Sequence, residues 1–212
     1  MENNYWIEEE WLIFNPEFNE ELTNYYDVIN KYNKIMFSNY NDPLIAIKTN
    51  NICKSEYIYN YNDFENIFNQ EIDLSNNINL THLTFGNCFN QEIDLSNNIN
   101  LTLLILGIYF NEKINLSNNI NLTHLSFGNC FNNEIDLSNN KNLTHLTFGY
   151  WFNQEIDLSN NINLTHLTFG KYFNKEINIP LNIKNLNMFR CNNQYIIDNL
   201  HNNIEELTIY AN

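Results

Sequence analysis

Valine, alanine, glycine, proline and cysteine are all scarce in this sequence of 212 residues. There is one valine, Val28, and there are two alanines, Ala46 and Ala211, whereas asparagine occurs 49 times. Because alanine is the best helix former and asparagine a poor one, this balance argues against an ordinary helical enzyme. Hydrophobic residues make up 43% of the chain, which argues against wholesale disorder and, at this length, indicates one or at most two domains.

Basic residues and long apolar runs are also lacking. Ten Lys and Arg stand against 25 Asp and Glu, giving a net charge of −15, and no cluster of basic residues offers a surface for phosphates. We therefore expect no nucleic-acid partner. No stretch has the length of a signal peptide or of a membrane span, so we expect a cytoplasmic protein that is not secreted and has no membrane partner.

The four cysteines form no CxxC pair and have no zinc-ligand spacing. We therefore expect neither a disulfide framework nor a structural zinc site, and we expect the thiols to be reduced. The cysteines are Cys53, Cys88, Cys130 and Cys191.

A 21-residue repeat dominates the rest of the chain, and its period is that of a solenoid. A Phe-Asn pair recurs at Phe68, Phe89, Phe110, Phe131, Phe152 and Phe173. All five glycines share one column, at Gly86, Gly107, Gly128, Gly149 and Gly170. Irregular copies follow Phe173, but Leu186 and Leu207 continue the column of Leu83, so we predict about seven turns.

Each copy contains the spacing LxxLxL, which is typical of leucine-rich repeats and predicts one short parallel strand per turn. In the first copy these residues are Leu80, Leu83 and Phe85, and Ile78 is counted among the same apolar positions. The alternating segment 71–75 predicts a second short strand. Gly86 is expected at a corner that needs a positive φ or a close backbone approach. The predicted fold is mainly β, a solenoid over residues 68–212.

The repeats resemble the FNIP repeat, a relative of the leucine-rich repeat found in amoebae and in the giant viruses that infect them. The resemblance rests on Phe89-Asn90-Gln91 with Ile93 and on the segment 80–86, Leu-Thr-His-Leu-Thr-Phe-Gly, recurring to about Leu186. It implies a non-enzymatic scaffold for other macromolecules, sometimes behind an F-box, without catalytic residues. If the source is viral, the host cytoplasm is the expected location.

Residues 1–67 do not follow the repeat pattern and are predicted to form a capping region with one helix and a hairpin. Asn15-Pro16 resembles a helix start, and apolar residues at helical spacing predict a helix over about 16–33. Two strands are predicted over 34–37 and 44–48, joined by a turn. An F-box that recruits a ubiquitin ligase is the alternative, although neither a Leu-Pro start nor three helical periods are present.

Because the copies have equal length, each position projects as a column along the solenoid, with a step of about 4.8 Å. One column holds His82, His124, His145 and His166 and is interrupted by Leu103. It is expected to face outward from the strands, either as a by-product of repeat duplication or as a metal-binding or pH-sensing ladder. A second column is acidic and is expected to be solvated or to receive a basic partner; it contains Glu71, Glu92, Glu134, Glu155 and Glu176.

The second copy breaks the pattern, because Leu103 and Ile105 replace polar residues. With Ile108, Tyr109, Tyr150 and Trp151 in the columns after glycine, they predict an exposed patch; the alternative is that Tyr109 and Trp151 pack inward. We predict a protein partner bound at this patch and at the strand-lined face, no cofactor and no metal site. The predicted partner-binding residues are Leu103, Ile105, Ile108, Tyr150, His124, His145 and His166.

No nucleophile, base and orienting group come together in the sequence, so we do not expect an enzyme. The preferred function is a repeat scaffold for protein-protein interaction. The alternatives are a substrate adaptor of a ubiquitin ligase that uses residues 1–67 and an enzyme with an unfamiliar site.

Overall fold

A single sheet joins all the strands of the described chain. The computed structural model describes residues 4–44, 46, 66–189 and 193–210. Within these residues, ten strands lie side by side in chain order, and every neighbouring pair is parallel except the antiparallel pair formed by the first two. The strands are β1 (Tyr5–Glu8), β2 (Trp11–Phe14), β3 (Lys34–Phe37), β4 (His82–Thr84), β5 (Leu103–Ile105), β6 (His124–Ser126), β7 (His145–Thr147), β8 (His166–Phe169), β9 (Asn185–Phe189) and β10 (Glu206–Tyr210).

The predicted solenoid is confirmed. Strands β4 to β8 recur once per copy, and their leucines pair in register, Leu83 with Leu104 and onward. Leu186 and Leu207 continue the same register through β9 and β10. Seven strands therefore arise from the repeats, as the leucine column predicts, and the fold class is mainly β.

Three earlier strands, β1 to β3, extend this sheet beyond the repeats. Leu12 of β2 pairs with Ile35 of β3, and Ile35 pairs with Leu83. The hairpin of this region is formed by β1 and β2 and not, as predicted, by strands over 34–37 and 44–48. The division between residues 1–67 and 68–212, and the capping role of the first part, stay predictions.

The predicted helix over 16–33 is wrong in extent. Within the described residues it is reduced to a 3₁₀ turn at Leu22–Asn24 and a helix α1 at Tyr26–Ile29; a second short helix, α2, covers Gln194–Asp198. Phe18 and Tyr25 instead pack their rings on Phe14, at centroid distances of 4.5 and 5.8 Å. Burial against the end of the solenoid thus overrides the helical spacing. No helix of the described residues has the length and apolar character needed to cross a bilayer.

The predicted strand over 34–37 is confirmed as β3, whereas the one over 44–48 is not. The Ala46 N–H donates to the Asp42 carbonyl at 2.9 Å, which is the bond of a helical turn. Residues 45, 47 and 48 lie outside the described residues.

The core consists of leucine columns and of phenylalanine rings stacked from turn to turn. Phe89, Phe110 and Phe131 are fully buried, and their parallel rings lie 6.1 and 6.2 Å apart. In the turn of Phe131, Phe127 lies on the same ring at 4.0 Å. This continuous aromatic stack explains the invariance of the Phe column, because each ring packs against the ring of the next turn.

The second predicted strand of each copy is not formed in the described residues, although its burial alternates as predicted. Ile72 and Leu74 are buried and their neighbours are exposed. The bonds between turns are made here by side chains: Asn98 Nδ2 donates to the Leu74 carbonyl at 3.0 Å and Asn97 Nδ2 to the Ser75 carbonyl at 3.2 Å. Side-chain amides therefore replace the backbone ladder that a strand would require.

The turn after this segment buries asparagine and exposes isoleucine, which reverses the expectation for Ile78. Asn77 is 2% exposed, whereas Ile78 is 56% exposed. The buried asparagine column comprises Asn77, Asn98, Asn119, Asn140 and Asn161. The exposed apolar column comprises Ile78, Ile99, Ile120 and Ile162, with Lys141 between the last two.

The glycine column marks a close backbone approach, one of the two roles that were predicted. None of the five glycines has a positive φ. A Cβ on Gly107 would lie 1.9 Å from the carbonyl oxygen of Gly86, and one on Gly128 equally close to that of Gly107. Successive turns therefore touch backbone to backbone at this corner.

Candidate functional site

The predicted histidine column lies on the outer face of the sheet. His124, His145 and His166 pair with one another in consecutive strands, and Leu103 pairs with His124 on the preceding side. Alternate residues of a strand point to opposite faces, and the following leucines belong to the core. The imidazoles are therefore held at one step per turn by backbone pairing.

The three rings form a close parallel stack. The centroids of His124 and His145 are 4.3 Å apart and those of His145 and His166 are 4.0 Å apart, with interplanar angles of 11° and 12°. His82 is separated from this stack by Leu103 and meets the edge of Trp11 at 5.5 Å.

The rings of adjacent turns are closer on this face than in the Phe column. The centroids of His145 and His166 are 4.0 Å apart, whereas those of Phe152 and Phe173 of the same two turns are 5.9 Å apart. Repeat solenoids commonly bind their partners on an extended surface that successive turns build together.

A hydrogen-bond relay fixes the tautomer of each ring. The Thr123 hydroxyl donates to the Thr102 carbonyl at 3.0 Å, so its oxygen accepts from Nδ1–H of His124 at 2.9 Å. The same pair of bonds recurs for Thr144 with His145. Nε2 consequently carries the lone pair, and at the end of the stack Asn185 Nδ2 donates to Nε2 of His166 at 2.7 Å.

Burial and nearby positive charge lower the pKa of three imidazoles of this column. Desolvation, followed by the neighbouring His124 and His166, lowers the pKa of His145 to about 4. Desolvation and His166 lower the pKa of His124. Desolvation, Lys34 and His124 lower the pKa of His82. A positive charge on His124 or His145 would lie about 4 Å from the next ring, which favours the neutral form of these two residues.

The stack is a poor metal chelate. Parallel rings direct their Nε2 lone pairs in parallel, whereas imidazoles that share a tetrahedral ion must converge on it. The described residues contain no group of three or more His, Cys, Asp or Glu placed to hold a metal ion.

The predicted partner-binding residues fall on two neighbouring surfaces. Leu103 and Ile105 lie on the outer face of β5, beside His124 and Ser126 of β6. Leu103 is buried under its neighbours and Ile105 is partly exposed, so the prediction of an exposed patch is wrong for Leu103. Ile108 and Tyr150 come after the glycines, at the corner where each turn leaves the sheet. Towards β2 and β3 the sheet face is covered, because Trp11, Ile13 and Met36 are buried in a cluster with Ala46.

The corner carries an exposed aromatic cluster, and the alternative that Tyr109 and Trp151 pack inward is wrong. Tyr109 is 41%, Trp151 49% and Tyr172 40% exposed. Trp151 lies flat on Tyr172 at 4.4 Å, and Tyr150 meets both rings edge-on. Lys171 Nζ lies 5.5 Å from the centre of the Tyr172 ring and 5.7 Å from that of Tyr150, a cation-π arrangement.

The acidic column lines a groove of about 1420 Å³ on the face that follows the Phe-Asn corner. Glu92, Asp94, Glu112 and Glu134 contribute carboxylates from successive turns, and Lys113 interrupts them. The aspartates also have a local role that their spacing did not reveal. Asp94 Oδ1 accepts the Ser96 N–H at 2.9 Å, and the Ser96 backbone and hydroxyl lower the pKa of Asp94.

The cysteine prediction holds for the two residues that the structure describes. Cys88 and Cys130 are both reduced and lie two turns apart in one column, with Tyr109 between them. Burial raises the pKa of the Cys130 thiol, so its reactivity is low at neutral pH. Cys53 and Cys191 lie outside the described residues.

No protein-family model and no curated protein matches the chain. Among solved structures, it is similar to the functional domain of InlJ from Listeria monocytogenes, which includes a cysteine ladder: identity is 23% and the TM-score 0.49, over 57% of this chain and 28% of InlJ. It is also similar to CroV588, a circular leucine-rich-repeat protein of the giant virus CroV, with 30% identity and a TM-score of 0.45 over 88% of this chain and 38% of CroV588. The fold is a leucine-rich-repeat-like solenoid. The chain spans well under half the length of either protein.

Proposed function

We propose that this chain is a non-enzymatic repeat scaffold that binds a protein partner through the strand-lined face of its solenoid. The observation that carries the proposal is the stack of His124, His145 and His166 on the strand-lined face, where backbone pairing and a threonine hydrogen bond hold each ring in register. These rings are half-buried, so a partner would meet a surface that is already ordered. Little conformational entropy is then lost on binding.

The chemistry of this face suits a protein. Neutral imidazoles with outward Nε2 lone pairs accept hydrogen bonds from backbone or side-chain N–H groups. The partly exposed Ile105 adds apolar contact at one end. The net charge of −15 disfavours nucleic acid. The absence of a catalytic constellation from the repeated side chains supports a non-enzymatic role.

We further propose that the repeats belong to the FNIP family and that the protein acts in the cytoplasm, that of the host if the source is viral. The recurring Phe-Asn and Leu-Thr-His-Leu motifs support the first part. We do not propose the ubiquitin-ligase adaptor, because in the described part of residues 1–67 the helical segments are single turns, and nothing there favours an F-box.

Quantitative cross-linking and mass spectrometry with two variants test the scaffold. His145→Glu places a charge in a column that already holds Glu206 in β10, so the fold is expected to survive. Ile162→Lys is the matched control, because its column holds Lys141 and lies away from the strands. A partner captured by the wild type and by Ile162→Lys, but lost with His145→Glu, supports the strand face. A partner set that is the same for all three proteins contradicts it.

A further inference from the structure

The repeat copies differ most at the two columns that follow glycine. The Phe-Asn pair, the turn asparagines, the strand leucine and the glycine do not vary between Phe68 and Tyr172. The first column after glycine reads Asn87, Ile108, Asn129, Tyr150 and Lys171. The second reads Cys88, Tyr109, Cys130, Trp151 and Tyr172. The side chains that distinguish one turn from the next are thus concentrated on a single corner.

This corner is rigid. The Trp151 N–H donates to the Asn129 carbonyl at 2.9 Å, and the Cys130 N–H donates to the Ile108 carbonyl at 2.8 Å. The same bond runs from Tyr172 N–H to the Tyr150 carbonyl at 3.1 Å. Together with the backbone contact at the glycines, this ladder fixes the spacing of the variable side chains.

A notch separates two of the exposed aromatic residues. Tyr109 and Trp151 are 41% and 49% exposed, and the small side chain of Cys130 occupies the turn between them. At a step of about 4.8 Å per turn, Tyr109 and Trp151 are about 9.6 Å apart along the solenoid. Tyr172 continues the aromatic surface by stacking on Trp151.

The length of this notch equals one turn of a polyproline II helix. Such a helix has three residues per turn and rises about 3.1 Å per residue, or about 9.3 Å per turn. Prolines one turn apart would therefore meet Tyr109 and Trp151, while the intervening residues pass over Cys130. Aromatic surfaces of this kind dock proline-rich segments, whose preformed helix loses little entropy on binding.

The neighbouring groove supplies charge complementarity. Gln154, three residues after Trp151, lines the acidic groove of about 1420 Å³. Among the described charged residues that line it, Lys113 is the single basic one, and Glu92, Glu112 and Glu134 are among the acidic ones. Lysine or arginine residues that flank the prolines would therefore be attracted to the groove.

We propose that the aromatic corner and the acidic groove together bind a proline-rich segment that carries basic residues. This site extends the scaffold function to a second surface. The proposals for the strand face and for the corner can be contradicted separately, because His145→Glu changes the strand face and leaves the corner intact.

The probe is a synthetic peptide of about 12 residues with prolines at i and i+3 and three arginines at one end. Its control has the same charge with glycine in place of proline. Titration calorimetry on the full chain is expected to show binding that is at least about tenfold tighter for the proline peptide and that weakens with salt. Equal binding of both peptides, or no binding of the proline peptide at about 1 mM, overturns the proposal.

Variants of Cys130 test whether peptide binding needs the notch or only the exposed aromatic rings. Cys130→Trp fills the notch with a side chain that the same column accepts at Trp151, and it is expected to weaken binding at least about tenfold. Cys130→Ala keeps the notch and is expected to bind as the wild type does. Binding to Cys130→Trp that equals or exceeds the wild type overturns the proposal, with the fold checked by circular dichroism.

Two further variants test the remaining parts of the site. Trp151→Cys copies the residue of two other turns and is expected to abolish the preference for proline. Lys113→Glu removes the cation of the groove and is expected to tighten binding about threefold. If the wild type binds no peptide but self-associates, and Trp151→Cys abolishes the association, the corner belongs to a second copy and the proposal fails.

Discussion

The side-chain amide of Asn119 donates to the backbone carbonyl of Asn98, one turn earlier, at 3.0 Å. The same Nδ2 donates to the Leu95 carbonyl at 3.0 Å, so one buried amide joins two points of the preceding turn. Asn98 and Asn140 repeat both bonds in their own turns. This amide ladder joins successive turns by hydrogen bonds at the asparagine turn, as backbone pairing joins them at the strands.

Asn119→Ala is expected to destabilise the protein by about 2 kcal/mol. The change removes two buried hydrogen bonds, each worth roughly 1 kcal/mol, while the Leu95 and Asn98 carbonyls keep backbone N–H donors. Urea unfolding followed by circular dichroism measures the loss. Asn118→Ala is the control, because this exposed side chain donates only to the Ser96 carbonyl at 3.2 Å, and a loss below about 1 kcal/mol is expected. Equal losses would contradict a special role of the buried column.

Gly128→Ala is expected to cost about 3 kcal/mol or more. Its Cβ would lie 1.9 Å from the Gly107 carbonyl oxygen, and a backbone atom cannot move aside without separating the two turns. Ser126→Thr adds one methyl group as well, but on the outer face, in a column that holds Thr147 and Thr168. Thermal unfolding of both variants checks the difference, and a melting temperature of Gly128→Ala near that of Ser126→Thr would contradict it.

The repeat made the strands predictable, because every copy keeps the spacing of Leu80, Leu83 and Phe85. Leu83 and Phe85 are two residues apart, so a short strand places both side chains on the same face. The histidine column and its interruption by Leu103 followed from the same register. The exposure of Trp151 could not be read from the sequence, since an aromatic residue after a corner fits an inward or an outward position equally well.

The burial of asparagine in the turn and the strand β2 could not be predicted for other reasons. Hydropathy assigns Ile78 to the core and Asn77 to the surface. The buried carbonyls of the preceding turn, however, accept additional hydrogen bonds from the asparagine amides, which an alkyl side chain cannot donate. Strand β2 is buried on both faces, so Trp11–Phe14 shows no alternation. A continuous apolar run of four residues carries no periodicity from which a strand can be recognised.

The turn between β1 and β2 is expected to be improved by substitution. Glu9 and Glu10 have φ values of 47° and 71°, a left-handed conformation that costs L-residues with a Cβ about 1 kcal/mol each. Glu9→Asn with Glu10→Gly supplies the Asn-Gly pair that such two-residue hairpins prefer, and we expect a gain of about 1 kcal/mol. The loss of the exposed Glu10 to Lys34 ion pair offsets little of it. Unfolding in urea measures the gain, and a lower midpoint would contradict the strain.

The imidazole stack is expected to make stability depend on pH. The pKa of His145 is lowered to about 4 in the folded protein, below the value of about 6.5 of a free histidine. As the pH falls, the unfolded chain therefore takes up the proton first, and the contribution of the neutral ring, complete above about pH 6.5, is lost progressively towards pH 4. Because the ring is half-buried and partly screened by solvent, we expect a loss of roughly 1 kcal/mol. His145→Asn, which copies Asn185 of the same column, should lack this part of the acid sensitivity, so the difference between the two proteins at pH 7 and pH 4.5 isolates it from the carboxylates. An NMR titration in which His145 changes protonation near pH 6.5 would contradict the neutral stack.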